Sequence, residues 1–342
     1  MTTERTIQPI IGEAPAFLEM LEHVSRAAPL SKPLLVVGER GTGKELIASR
    51  LHFLSLRWEQ PLLKVNCAAL TESILESELF GHQAGAFTGA ATTHTGHFER
   101  ADGGTLVLDE LGTLSLRMQQ KIMRVIEYGE LQRVGGSHTI SVDVRIVGST
   151  NANLKALVDA GKFRADLLDR LAFDVITLPP LRERLDDILP LAYAFALNMA
   201  SELKYNLFPG FSARASSALL RHDWPGNVRE LKNAVERSVY RATEKDQQIS
   251  RIAFDPFDSP FQLRESDKVV TSRGTPAARA APILPTDINA RLTELEVELL
   301  RAGLKKARFN QRVAADLLGL SYHQLRGKIR KHSLDIGKGG VG

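Results

Sequence analysis

Cysteine is almost missing: Cys67 stands alone in 342 residues. One thiol cannot build an internal disulfide framework and suits a reducing compartment, which points to the cytoplasm. Within the run Val65-Asn66-Cys67-Ala68-Ala69 it reads as a small buried filler. Long apolar runs are also lacking, and none reaches the ~18 residues that a membrane span needs. The opening Met1-Thr2-Thr3-Glu4-Arg5 has no basic stretch leading into an apolar one, so a secretory signal is not expected. No internal repeat is present. What remains, 43% hydrophobic and 25% charged residues, is the composition of a globular protein.

Charge is bland as a total and uneven in place. Residues 301–342 hold ten Lys and Arg against Asp316 and Asp335, a net +8, which leaves −4 for the rest of a chain at +4. An acidic body with a basic end predicts that the end meets an anionic polymer.

Residues 1–180 alternate short apolar runs with helical periodicity. Candidate strands are Pro33–Val37, Leu62–Asn66, Thr105–Leu108, Val144–Val147 and Phe173–Ile176. Near-continuous hydrophobicity predicts strands buried on both faces, as in a parallel sheet flanked by helices. Residues 186–250 carry helical patterns only, and 181–254 read as a separate lid. The stretch 255–288, with Pro256, Pro260, Pro276, Pro282 and Pro285 among small and polar residues, has linker composition. Residues 289–336 read as a small all-α domain and 337–342 as a tail.

Gly38-Glu39-Arg40-Gly41-Thr42-Gly43-Lys44 follows the strand ending at Val37 and precedes a helix opening at Glu45. Strand, glycine loop and helix is the setting of a P-loop, in which backbone amides and a helix N-terminus face phosphate oxygens. Lys44 is placed to reach the β- and γ-phosphates of ATP. Glu45 stands where Ser or Thr is usual. Leu106-Val107-Leu108-Asp109-Glu110 ends a buried strand in two carboxylates. Asp109 suits a magnesium ion's shell and Glu110 suits orienting or deprotonating the attacking water, a Walker B element. Strand ends in open α/β sheets face the ligand crevice. Thr150 and Asn151 are therefore candidates to sense the γ-phosphate, and Asn66 to hold Glu110 off its water.

Gly85-Ala86-Phe87-Thr88-Gly89-Ala90 sets an aromatic among residues that offer little burial and much backbone freedom. An apolar tip on such a loop suits docking onto a partner, with Thr88 adding a directional hydroxyl. Gly129–Gly136 reads as a hairpin that supports it. Toward the C-terminus, Val313–Arg326 reads as helix, turn, helix, with Gly319 ending the first helix and Ser321 capping the second. Tyr322, His323, Arg326 and Arg330 can face a DNA major groove while Leu325 and Ile329 face the core. Lys328 and Lys331 are expected to contact phosphates.

These motifs together resemble the AAA+ bacterial enhancer-binding proteins that activate sigma-54 RNA polymerase. The resemblance covers the chain from about Ile11 onward and rests most on Glu78–Ala90. Supporting runs are Phe98–Thr105, Leu178–Arg184 and Trp224–Leu231, and Glu45 after the lysine is usual in this family. It implies an AAA+ ATPase with a helical lid and a Fis-type helix-turn-helix domain, assembled as a homo-hexamer. It implies that residues 85–90 contact sigma-54 and that Arg164 and Arg170 are arginine fingers toward a neighbouring subunit. Arg229 is implied as the lid's sensor of the γ-phosphate. The few residues before Gly38 are expected to hold no independent regulatory domain. In this the chain resembles activators of phage shock operons, which implies membrane-stress control and an inhibitory partner, the peripheral membrane protein PspA. Trp58 is the expected contact for that inhibitor. A replication initiator or helicase loader would also join AAA+ chemistry to a helix-turn-helix, but should lack the Phe87-Thr88 loop.

Overall fold

The computed structural model describes residues 10–205, 207–242, 246–257, 288–307 and 309–332. The expected linker lies almost wholly outside these residues, as does the tail. The chain divides into two units, Met1–Gln262 and Leu263–Gly342.

In the first unit, α1 (Pro15–Ala27) leads into β1 (Leu34–Val37), α2 (Lys44–Phe53), β2 (Leu62–Asn66), α3 (Glu72–Phe80), α4 (His97–Arg100) and β3 (Thr105–Asp109). Next come α5 (Leu116–Tyr128), the strands β4 (Glu130–Gln132) and β5 (Thr139–Ser141), β6 (Arg145–Thr150), α6 (Leu154–Asp159), α7 (Ala165–Leu171) and β7 (Asp174–Thr177). Five strands form one parallel sheet in the order β2-β3-β6-β1-β7, and β4 pairs antiparallel with β5 in a hairpin.

The hydrophobic runs sort by place in the sheet. Central β3 and β6 are buried nearly throughout, as read from sequence. The edge strands β2 and β7 are not, because only one flank is covered; Phe173, just before β7, and Val175, within it, stay exposed. Arg145, at the start of β6, is fully buried and donates to the carbonyls of Ala28 (2.8 Å), Leu51 (3.2 Å) and Ala27 (3.2 Å). It thereby adds partners to carbonyls at the C-terminal ends of α1 and α2, where the last turn of a helix lacks intrahelical donors. Burial holds its guanidinium down to about 10.

α5 shows how local chemistry sets an element. Ser115 caps it by accepting the Met118 amide, Gly129 ends it at φ 66, and Met118, Ile122 and Val125 form its buried stripe. The lid follows as α8 (Ile188–Glu202), α9 (Ala213–Arg221) and α10 (Asn227–Tyr240), packed around Trp224. A single bridge from Phe211 to Ile249 is its only pairing outside helices among the described residues.

The second unit contains α11 (Ile288–Lys306), α12 (Gln311–Leu317) and α13 (Tyr322–Lys331). Their core is Leu300, Leu304, Ala314, Ala315, Leu325 and Ile329. Gly319 turns at φ 65 and Ser321 forms a reciprocal capping box with Gln324.

Candidate functional site

β1 delivers its C-terminal end into the loop 38–44, and the left-handed Gly43 (φ 102) starts α2 directly. Two further strand ends line the same cleft: Asn66 on β2 is in register with Asp109 on β3. The result is a cleft of about 1420 Å³ lined by Gly41, Gly43, Lys44, Glu45, Asn66, Asp109, Glu110, Asn151 and Arg229, with Ile10, Phe195 and Val228 at its apolar side. Lys44 is buried, and its ammonium donates to the carbonyls of Gly38 (3.0 Å) and Glu39 (3.2 Å). Burial lowers its pKa, against the pull of Glu110 and Asp109. A cation held among backbone oxygens at a glycine loop is poised to exchange them for phosphate oxygens.

Asp109 accepts a hydrogen bond from Ser149 on the neighbouring β6, a partner that the sequence did not single out. Glu110 sits at φ 55, a left-handed conformation costly for a side chain of this kind and typical of a site that aims a residue. The turn beyond it is tied down by Thr113, whose amide and hydroxyl both donate to the Glu110 carbonyl (3.0 and 2.8 Å). Hard carboxylate oxygens beside a lysine at a glycine loop fit Mg²⁺, and Asp109 would hold it.

Other candidates fall less simply. Asn151 lines the cleft, but Thr150 is buried, its hydroxyl accepting the Ala152 amide at 3.0 Å. The Asn66 side chain accepts the Ala68 amide at 2.9 Å rather than meeting Glu110. Arg40 and Thr42 flank Gly41 in the loop, Arg40 exposed and Thr42 buried with its hydroxyl on the Glu39 carbonyl (2.9 Å). Glu39 turns away from the cleft. Its carboxylate takes a bidentate pair from Arg182 (2.7 and 2.9 Å) and the Asn227 amide (3.0 Å). Those hydrogen bonds hold Glu39 down to about 2.

Asn227, fully buried at φ 53, also donates to the Arg40 carbonyl (3.1 Å) and accepts the Leu181 amide (2.7 Å). Two residues on, the Arg229 amide meets the Gly41 carbonyl at 3.3 Å. Buried Arg184 donates to the Thr42 carbonyl (3.2 Å) and lies 4.6 Å over the Phe17 ring, while Asp187 accepts the Glu13 and Ala14 amides. The lid is thus stitched to the loop and to the segment before α1 by polar side chains that sequence spacing alone does not connect.

Arg164 and Arg170 do not line this cleft. Arg164 forms a bidentate pair with Asp166 (3.0 and 2.7 Å), and Arg170 pairs with Glu127 (2.6 Å).

The loop 85–90 joins α3 to α4. It closes on itself through the Gly85 amide to the Ala90 carbonyl (2.8 Å). Phe87 is 48% exposed, its ring meeting that of His82 edge-on with centroids 4.9 Å apart, and Thr88 is exposed. The β4–β5 hairpin supports it as expected: the Gln83 amide meets the Val134 carbonyl (3.0 Å), and Gly135 packs against Ala86. Trp58 is half exposed on a turn with Leu56, which is 85% exposed, and Arg57 pins that turn to Asp143. In the second unit Ser321, Tyr322, His323, Arg326, Arg330 and Lys331 are exposed, Leu325 and Ile329 buried. Lys328 differs from its expected role: its ammonium pairs with Glu296 on α11, which also bonds His332 (3.0 Å).

A parallel sheet carrying a glycine loop, an Asp-Glu strand end and a helical lid defines a P-loop ATPase of AAA+ architecture. Residues 10–177 match the sigma-54 interaction domain, 182–265 the AAA+ ATPase lid domain, and 291–332 the Fis-family bacterial regulatory domain. The chain is 56% identical over 95% of its length to the Psp operon transcriptional activator of Escherichia coli (strain K12), of which it covers 98%. It is 42% identical over 94% of its length to the transcriptional regulatory protein ZraR of the same strain, covering 68% of that protein. Among solved structures, NtrX from Brucella abortus in complex with ATP matches with a TM-score of 0.66 at 28% identity, over 95% of this chain and 70% of that one. The chain belongs to the sigma-54-dependent AAA+ transcriptional activators: it is an ATPase with a sigma-54 interaction domain and a DNA-binding helix-turn-helix.

Proposed function

We propose that this activator assembles as a ring, a homo-hexamer by family likeness, and remodels the sigma-54 polymerase closed complex into an open one through the loop 85–90. The observation that carries the reading is the contrast between a complete phosphate cleft and an absent finger: Lys44, Asp109 and Glu110 line the cleft, while Arg164 and Arg170 lie outside it. Fingers of this kind contribute ~10³–10⁵ in rate, so hydrolysis would depend on a neighbouring subunit. Asp109 would hold Mg²⁺, which neutralises charge on the phosphates when bound. Glu110 would orient the water, with Asn66 and Asn151 at the same strand ends, and Arg229 would bring the lid to the γ-phosphate. Residues 1–180, 181–254 and 289–336 would serve as engine, lid and DNA anchor, with Tyr322, His323, Arg326 and Arg330 facing bases. The protein would work in the cytoplasm.

Likeness to the Psp operon activator supports a phage shock operon as target and PspA as inhibitor. Exposed Leu56 and Trp58 supply an apolar contact for such a partner. Trp58→Ala should release inhibition by added PspA while ATPase stays within about twofold; unchanged inhibition would remove Trp58 from that role. The central test is open-complex formation on a sigma-54 promoter with ATP. Thr88→Ala should keep hydrolysis and lose open complexes by ~10-fold or more, the cost of roughly one directional contact in a desolvated interface. Full activation by that variant would sink the mechanism.

A further inference from the structure

Gln119 is fully buried on α5 and takes no part in lining the cleft. Its amide is spent wholly on backbone. The NH₂ donates to the carbonyls of Leu114 (2.8 Å) and Lys162 (3.0 Å), and the oxygen accepts the Arg164 amide (2.8 Å). Two carbonyls demand donors and one amide demands an acceptor, so the partners themselves fix which way the group points. Leu114 closes the turn that leaves Glu110: its amide donates to the Leu111 carbonyl at 3.2 Å, directly after the two bonds from Thr113 to Glu110. Lys162 and Arg164 enter α7, with Arg164 at its N-cap. One side chain therefore joins the turn behind the water-orienting carboxylate to the residue that bears the finger.

Apolar packing cannot supply this. Phe163 and Leu167 share one core cluster with Met118 and Ile122, but such contacts are non-directional and allow α7 to slide or turn. Three hydrogen bonds in a dry interior fix both distance and angle. We propose that Gln119 is the positioning residue for Arg164. It holds the finger that each subunit offers its neighbour in register with that subunit's own Asp109-Glu110 strand end. The proposal rests on the reading that Arg164 acts on the neighbouring subunit.

The test is hydrolysis in mixed rings of the full chain. Alone, Gln119→Leu should bind ATP with unchanged Kd yet hydrolyse it ~10²-fold more slowly, the penalty of displacing a group by on the order of 1 Å. Mixed with Glu110→Gln subunits, which cannot hydrolyse but present intact fingers, Gln119→Leu should regain hydrolysis, because its own cleft is sound. A subunit damaged throughout could not be rescued this way. Arg164→Ala in the same mixture is the reference. If Arg164→Ala is not rescued, the finger reading fails; if it is rescued and Gln119→Leu is not, the positioning role fails. Full hydrolysis by Gln119→Leu alone also overturns it. Should Gln119→Leu not fold, Gln119→Glu keeps the acceptor for the Arg164 amide and loses both donations, and the same mixture reads it by the same outcomes.

Discussion

Two glycine loops in this protein are held in opposite ways. In the loop 38–44, Gly41 lies at φ 78 so tightly under the lid that a Cβ there would come within 2.3 Å of the Gly226 carbonyl oxygen. Glu39, Arg40, Gly41 and Thr42 are all hydrogen-bonded to Arg182, Arg184, Asn227 or Arg229. In the loop 85–90, Gly85 and Gly89 lie at φ 83 and 107, and a Cβ at either would meet nothing within 4 Å. Its bonds run mostly to itself, and its support is one hairpin. Glycine serves close approach in the first loop and freedom in the second. The proposed roles match these settings: a phosphate site needs amides that are already in place, whereas a loop proposed to act on a protein partner needs room to travel.

The comparison breaks most sharply with alanine at matched positions. Gly41→Ala adds a backbone clash to a left-handed conformation, together about 2–5 kcal/mol. Loaded onto the nucleotide-binding form, that should weaken ATP binding by roughly 10²-fold or more, measured by fluorescent-nucleotide titration. Gly89→Ala meets only the conformational cost, about 1–2 kcal/mol, and should leave ATP affinity intact. Equal losses of affinity in the two variants would erase the distinction.

This difference explains what the sequence disclosed. The loop before α2, the Asp109-Glu110 strand end and the Gly85–Ala90 tip each lie in a single short run, so their chemistry is readable in order. The parallel sheet was legible for the same reason, since the apolar runs of β3 and β6 announce burial on both faces. The stitches were not legible. Asn227 and Glu39 are 188 residues apart, and Ser149 reaches Asp109 only because β6 lies beside β3. A lone Gln, Asn or Arg in a helical run looks the same whether it faces water or ties two segments. Glu39 reads as part of a nucleotide motif, yet its carboxylate serves the lid. Thr150 reads as a cleft residue, yet it is buried and its hydroxyl accepts the Ala152 amide. Lys328 reads as a phosphate contact on a basic helix, yet Glu296 one helix away claims it.

Asn227→Ala tests the fastening itself. It strands the buried Leu181 amide and removes one partner of Glu39, a loss of about 1–3 kcal/mol by thermal or urea unfolding. Truncating the free loop's tip with Phe87→Ala should cost less than about 1 kcal/mol, because that ring is half exposed. A loss from Phe87→Ala as large as that from Asn227→Ala would mean that the second loop is fastened too.

The smallest effect expected is on the pH dependence of the latch. Glu39, held down to about 2 from an ordinary 4.5 chiefly by its hydrogen bonds to Arg182 and Asn227, is depressed in the folded state. Its contribution is therefore fully present above about pH 4.5 and is lost as pH falls toward about 2, where the folded carboxyl also takes its proton. Both partners are more than two-fifths exposed, at 45% for Arg182 and 42% for Glu39, so water screens the pair and the gain stays near ~1 kcal/mol or less. The measurement is the stability difference between the native chain and Glu39→Gln, followed from pH 7 downward so that acid effects common to both cancel. That difference should be largest near neutrality and shrink below pH 4.5. A difference that grows on acidification, or that is absent at pH 7, would show that Arg182 and Asn227 hold the lid to the loop without help from the Glu39 charge.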